Sequence, residues 1–135
     1  AHREDGNSGA DSAVMDAAGP GSVPVVRLDK VLAGVPLRLI KLDIEGWEAK
    51  ALRGAEGLLR AATGPDLVFE FTPEFLAAAG DDPRELPRWL EAMDYRLYEI
   101  TKAGLEEPGE DIFTRRQTYL YCRKNPFRPG LALAA

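Results

Sequence analysis

Three carboxylates lie where two predicted strands end, and they are the side chains of this sequence best suited to chemistry. Asp43 and Glu45 follow the apolar run at residues 37–42. Glu70 lies near the end of the next such run, Asp66–Phe71. A carboxylate can accept the proton of a reacting hydroxyl, which contributes on the order of 10²–10⁴ in rate. In open α/β sheets ligands bind just beyond the carboxyl ends of parallel strands, so the positions of these acids predict a small-molecule site there.

Two buried strands joined by helices must hold these acids in place. The run at 37–42 is rich in branched apolar residues, which is typical of a strand buried on both faces of a parallel sheet. Gly46 allows an unusual backbone turn after this strand, and helices are predicted at 47–53 and 55–61. Together with a second strand at Asp66–Phe71, this succession is a βαβ unit, whose crossover is nearly always right-handed.

The remainder of the chain predicts further elements around this unit. Residues 23–28 are predicted to form a short strand, followed by a helix that is capped by Asp29. The apolar residues of 82–93 recur at helical spacing, which indicates the core face of a helix. The runs at 95–100 and 118–123 predict two strands that pair antiparallel at one edge of the sheet.

The composition argues against several classes of function. The formal net charge of the 135 residues is -5, which disfavours binding to the phosphate backbone of nucleic acids. With a single cysteine, Cys122, and a single histidine, His2, we expect no internal disulfide and no metal site. The sequence shows no run of membrane-spanning length and no signal-peptide pattern, so we expect a cytoplasmic protein without membrane or nucleic-acid partners.

Several segments resemble the FkbM family of S-adenosylmethionine-dependent methyltransferases, and they occur in the family's order. They are LDKVL at 28–32, KLDIEGWE at 41–48, LRGA at 52–55, LL at 58–59 and VFEF at 68–71. The resemblance implies an α/β fold, namely a partial doubly wound sheet of the Rossmann-like class I methyltransferases. Such a sheet is mostly parallel with an antiparallel final strand, and it has helices on both faces.

One half of that fold has no counterpart in the sequence. Class I methyltransferases hold the cofactor with a glycine-rich loop after the first strand and an acidic residue after the second, and neither pattern occurs here. We therefore expect residues 23–124 to form the C-terminal half of the domain. Residues 1–22 are then a flexible lead-in or active-site loop, and residues 125–135 a loosely ordered tail. The strand at 37–42 would present an open edge, and no residue is assigned to cofactor binding.

The resemblance implies transfer of a methyl group from S-adenosylmethionine to a hydroxyl of a small molecule such as a sugar or a polyketide-like metabolite. In-line approach of the acceptor can supply ~7–11 kcal/mol of such a reaction. Asp43 or Glu45 is the candidate base that receives the hydroxyl proton. Glu70, Trp47 and Lys41 are the candidates for contact with the acceptor.

Each of these residues also has a structural explanation. Asp43 suits the N-cap of the helix that follows, and Trp47 could pack at the start of that helix. Lys41 and Glu70 lie within two apolar runs, so they could form an ion pair that orders the site, provided that both face the same side of the sheet.

Two other functions fit the same pattern. One is a cofactor-free interaction or scaffold domain derived from this fold. The other is a different α/β enzyme, such as one acting on nucleotide sugars, in which the carboxylates serve another purpose. Binding of S-adenosylmethionine separates the methyltransferase from both.

Overall fold

The computed structural model describes residues 19–124, and it contains one five-stranded sheet with short helices between the strands. The strands are β1 (Leu39–Leu42), β2 (Asp66–Phe71), β3 (Tyr95–Thr101), β4 (Gly104–Glu106) and β5 (Thr118–Lys124). The helices are α1 (Leu28–Val31), α2 (Glu48–Arg53), α3 (Glu56–Arg60), α4 (Pro73–Ala78) and α5 (Glu85–Glu91), and a 3-10 helix spans Glu110–Phe113. Residues 1–18 and 125–135, which include most of the predicted lead-in and the predicted tail, lie outside the described residues.

The sheet is mixed, with the strand order β1-β2-β5-β3-β4. β1 and β2 pair in parallel, as the βαβ unit predicts, whereas the other three pairings are antiparallel. The prediction of a mostly parallel sheet is therefore wrong. The physical reason is the position of β5, which runs back between β2 and β3 and so turns two neighbouring pairings antiparallel at once.

The last strand confirms one prediction and corrects another. β5 is antiparallel to both of its neighbours, as expected of the final strand. The pair that it forms with β3 does not lie at the sheet edge, because the segment after β3 turns back at Gly104 and adds β4 outside it. At the opposite end of the sheet, β1 pairs only with β2 within the described residues and leaves its other edge open.

One face of the sheet packs against the helices and forms the core. Burying each large apolar side chain in such a core is worth about 1.5–3 kcal/mol. The strand residues of this core are Ile40, Leu67, Phe69, Phe71, Tyr95, Leu97, Leu120 and Cys122, and its helix residues include Ala49, Leu52, Leu59, Leu76, Leu86 and Leu90. The buried apolar side chains of the helices all join this single cluster, so helices on both faces, as predicted, are not found in residues 19–124.

The opposite face of the sheet is more open. The strand residues on it alternate with those of the core, and their side chains are largely half-buried or exposed. Tyr98 and Tyr121 stack there with ring centroids 6.2 Å apart, and the Tyr121 hydroxyl donates to Asp66 over 2.6 Å. This is the face on which the candidate site residues Lys41 and Glu70 lie.

The segment before β1 differs from its prediction. No strand forms at 23–28, and α1 begins at Leu28. Pro24 has no N–H to donate, and the valines beside it stay exposed, so apolar composition alone did not produce a strand.

Asp29 is a cap, but not of its own helix. It lies inside the first turn of α1, and its carboxylate accepts the N–H groups of Gly57 and Leu58 over 3.2 and 3.1 Å. These are two of the first N–H groups of α3, which have no partner within that helix. Asp29 thus joins the segment before β1 to the crossover after it.

Candidate functional site

The turn between β1 and α2 holds two of the three candidate acids in a fixed shape. Glu45 and Gly46 have φ angles of +54° and +97°, both in the left-handed region. The Glu48 carboxylate, whose residue is 1% exposed, accepts the N–H groups of Ile44 and Gly46, each over 2.9 Å. A carboxylate that accepts two backbone N–H groups fixes the turn strongly, because hydrogen bonds to charged groups are the stronger kind.

This turn rests directly on α4. A Cβ atom placed on Gly46 would lie 2.5 Å from the carbonyl oxygen of Phe75 and 2.6 Å from its carbonyl carbon. The close approach and the positive φ both require glycine at this position. Because α4 follows β2, the contact connects the end of β1 to the end of β2 and brings their acids to one place.

Asp43 and Glu70 are neighbours across the two parallel strands. Leu42 pairs with Phe69 in the last step of the β1–β2 register, so Asp43 follows beside Glu70 on the more open face. Asp43 and Glu45 are exposed, whereas Glu70 is only 9% exposed. Asp43 and Glu45 are therefore exposed at the carboxyl end of β1, as predicted, although β1 is the edge strand of the described sheet rather than a central one.

The surroundings of Glu70 favour its protonated form. The pKa of Glu70 is raised, first by burial and then by the negative charges of Asp43, Glu48 and Glu45. A hydrogen bond with the Asp43 side chain raises the pKa further. Glu70 also accepts a hydrogen bond from the side-chain amide of Gln117, just before β5. Two carboxyl groups that share one site behave as a coupled pair rather than as two separate acids.

Lys41 does not pair with Glu70. Both residues lie on the same face of the sheet, since Lys41 is opposite Val68, but the ion pairs within residues 19–124 include none between them. The Lys41 side chain is exposed beside the open edge of β1, where water solvates it at no cost. The predicted ion pair is thus absent, and the Gln117 amide takes its place as the partner of Glu70.

Trp47 is exposed rather than packed. Its side chain is 57% exposed, and its ring lies 5.0 Å from the Lys50 ammonium. Ile44 and Phe75 are also partly exposed, and they belong to the turn and to the helix that this turn contacts. These three residues, here called the apolar rim, expose apolar surface near the acids.

An ion-pair cluster fixes α2 relative to the segment after α4. Asp81 is bonded to the Lys50 ammonium over 2.7 Å and to the Arg53 guanidinium over 2.5 Å. Lys50 also donates to the carbonyl of Ala79. Burial raises the pKa of Asp81, but the hydrogen bonds and charges of Lys50 and Arg53 outweigh it and lower the pKa overall. The cluster thereby ties the last turn of α2 to the segment after α4, and its Lys50 ammonium also lies beside the Trp47 ring.

The sequence did not reveal every residue that shapes the site. Glu48 was noticeable only as an acid near a helix start, where its charge is favourable. Gln117 gives no sequence signal, because a lone glutamine before a strand has no pattern to set it apart. Within residues 19–124, no group of three or more His, Cys, Asp or Glu side chains could hold a metal ion, and none of the described helices could cross a membrane.

The fold and the site together define an α/β protein with a carboxylate site at the carboxyl ends of two parallel strands. Comparison with protein-family models identifies the family to which this protein belongs. The methyltransferase FkbM domain model matches residues 2–97, and the chain belongs to this family. The resemblance stated from the sequence is thus confirmed. No curated protein and no solved structure matches the chain.

The matched residues include part of the site only. Asp43, Glu45 and Glu70 all lie within residues 2–97, as do the turn and α4. Gln117 and the whole of β5 lie beyond them. The family match supports methyltransferase chemistry, but it does not identify the acceptor or the role of each residue.

Proposed function

We propose that the protein transfers a methyl group from S-adenosylmethionine to a hydroxyl oxygen of a small molecule, such as a sugar or a polyketide-like metabolite. The observation that supports this proposal best is the exposed pair Asp43 and Glu45 on a rigid turn at the end of β1, beside the buried Glu70. Membership of the FkbM family supplies the class of reaction.

S-adenosylmethionine, when bound, supplies a methyl carbon on a sulfonium, and the acceptor oxygen takes that carbon while the carbon–sulfur electron pair stays on sulfur. The acids at this edge fit a cation in charge. Burial and then the charges of the neighbouring acids raise the pKa of Glu70, and a positive neighbour would offset the repulsion among these acids. Within residues 19–124 no glycine-rich loop follows a strand, so we assign no residue to holding the cofactor's adenosine.

The acids have separate tasks in this proposal. Asp43 or Glu45 accepts the proton of the acceptor hydroxyl, since both are exposed and the only histidine, His2, is distant in sequence. Glu70 contacts the acceptor as a hydrogen-bonding group. The fixed turn matters because a base contributes fully only when it is held within hydrogen-bond reach of the proton.

Trp47 and Lys41 contribute to acceptor contact rather than to proton transfer. The exposed ring of Trp47 offers an apolar surface on which a sugar ring or a polyketide chain can lie. Lys41 is exposed on the face of β1 that leads to Asp43, and it can donate to an acceptor hydroxyl.

The test is transfer of labelled methyl from S-adenosylmethionine to a panel of sugars and hydroxylated polyketides. We expect Asp43→Asn or Glu45→Gln to lower kcat by on the order of 10²-fold or more, the usual contribution of a base. Glu85→Gln, which changes an exposed acid in the first turn of α5, is the matched control and should retain full activity. Full turnover in both site variants would reject these acids as the base.

A cofactor-free interaction domain is the second candidate function. The observations that favour it are the open edge of β1 and the exposed apolar residues Leu39, Ile100 and Leu105 on its sheet. Calorimetric titration of S-adenosylmethionine into this chain and into a version extended upstream separates the two candidates. Saturable binding in either supports the methyltransferase, whereas absence of binding in both supports the interaction domain.

A further inference from the structure

Gln117 lies outside the residues matched by the family model, yet it contacts the candidate site. Its side-chain amide nitrogen donates to Oε1 of Glu70 and also lies 3.4 Å from the hydroxyl of Tyr119. An amide nitrogen carries two hydrogens, and these two contacts use both. The amide therefore presents its NH₂ group, not its carbonyl oxygen, to the Glu70 carboxyl group.

The topology explains how Gln117 reaches Glu70. β5 is antiparallel to β2, and Tyr119 pairs with Glu70. Gln117 is two residues before Tyr119, so it projects to the same face of the sheet. Asp43 lies beside Glu70 on the other side, as the β1–β2 register requires. Glu70 thus lies between a carboxylate and an amide donor.

The carboxyl group of Glu70 has two polar neighbours. Its Oε1 accepts the Gln117 N–H, and it also has a hydrogen bond with the Asp43 side chain, which requires a proton between the two carboxyl groups. After burial and Asp43, the pKa of Glu70 is raised by Glu48 in α2 and Glu45 in the turn, which are both negative. They add to the repulsion that a proton between Glu70 and Asp43 removes.

We propose that Gln117 is a positioning residue, which orients Glu70 so that Glu70 and Asp43 share one proton. The pair then carries a single negative charge, and the remaining oxygen of Asp43 stays open to the proton of an acceptor hydroxyl. The catalytic part of this inference rests on the proposed methyl transfer, whereas the orientation of Glu70 by Gln117 does not.

The test follows the titration of Glu70 by carboxyl-carbon NMR in the full chain. Asp43→Asn removes the negative neighbour, so the midpoint of Glu70 should fall toward the ordinary value for glutamate. Gln117→Leu removes the group that orients Glu70 toward Asp43, so Asp43→Asn should lower the midpoint less in the Gln117→Leu background than in the parent chain. Tyr119→Phe, the matched control, leaves the donor in place and should keep the full effect of Asp43→Asn.

An equal effect of Asp43→Asn with and without Gln117 would overturn the positioning role. If Gln117→Leu does not fold, Gln117→Met keeps the unbranched length of the side chain and gives the same measurement. The outcome is independent of methyl transfer. A smaller effect of Asp43→Asn in the Gln117→Leu background, together with full turnover in Asp43→Asn and Glu45→Gln, would reject the proposed base and leave the positioning of Glu70 intact.

Discussion

Replacing Gly46 with alanine is expected to destabilise the protein through two separate effects. A non-glycine residue at φ +97° is strained, at a cost on the order of 1–3 kcal/mol. The new methyl group would also lie 2.5 Å from the Phe75 carbonyl oxygen, and overpacking of this kind costs about 1–3 kcal/mol more. The expected loss of unfolding free energy is therefore roughly 2–6 kcal/mol, a large share of the ~5–15 kcal/mol typical of a folded domain.

Gly80 provides a control that separates the two effects. Its φ is +88°, but a Cβ placed there meets nothing within 4 Å. Gly80→Ala should therefore show the strain without the contact. The assay is urea unfolding of the two variants and the parent chain, followed by circular dichroism.

The difference between the two variants measures the contact between the turn and α4. We expect Gly46→Ala to be less stable than Gly80→Ala by about 1–3 kcal/mol. Equal stability of the two variants would refute the reasoning that the turn after β1 rests on Phe75. In that case the acids of the turn would have no fixed position relative to the end of β2.

Three further predictions concern the supports of the site and the core. Glu48→Gln replaces the charged acceptor of two backbone N–H groups, so the amides of Ile44 and Gly46 should lose protection in hydrogen exchange while those of β5 keep it. Burial raises the pKa of Asp81, but the hydrogen bonds and charges of Lys50 and Arg53 lower it overall. The contribution of Asp81 to stability is therefore complete above the unfolded-state pKa and is lost as the pH falls through the folded-state value. Acid unfolding should consequently be less steep in Asp81→Asn, and an unchanged profile would contradict the ion-pair cluster. Burial is the largest cause that raises the pKa of the Cys122 thiol, so a thiol reagent should label this thiol only at the rate of unfolding. Rapid labelling of the native chain would argue against the place of Cys122 in the core.

The sequence predicted those parts of the fold that depend on local pattern. The strands β1 and β2 were recognisable from the apolar residues around Ile40 and Phe69. The prediction that β1 is buried on both faces is wrong, because Leu39 and Lys41 are exposed on the open face of this edge strand. The helices α2 and α3 were recognisable from their spacing and from the glycines around them. The two acids after β1 were recognisable because their position follows directly from that strand.

The parts that the sequence did not predict depend on contacts between distant residues. The place of β5 between β2 and β3 is a property of the whole sheet, and no local feature of Thr118–Lys124 records it. Val23, Val25 and Val26 have the composition of a strand, yet no neighbour pairs with them in the described residues. Asp29 has the character of a cap, but the helix that it caps begins 27 residues later, at Glu56.

The same topology explains why one residue of the site was not predicted. The sequence pattern predicts candidate residues at the carboxyl ends of the parallel strands, where Asp43 follows β1 and Glu70 lies near the end of β2. An antiparallel strand begins where its parallel neighbours end, so the residues just before β5 reach the same edge of the sheet. Gln117 contacts Glu70 for this reason. In a mixed sheet, the amino ends of antiparallel strands therefore contribute residues to the same edge as the carboxyl ends of the parallel ones.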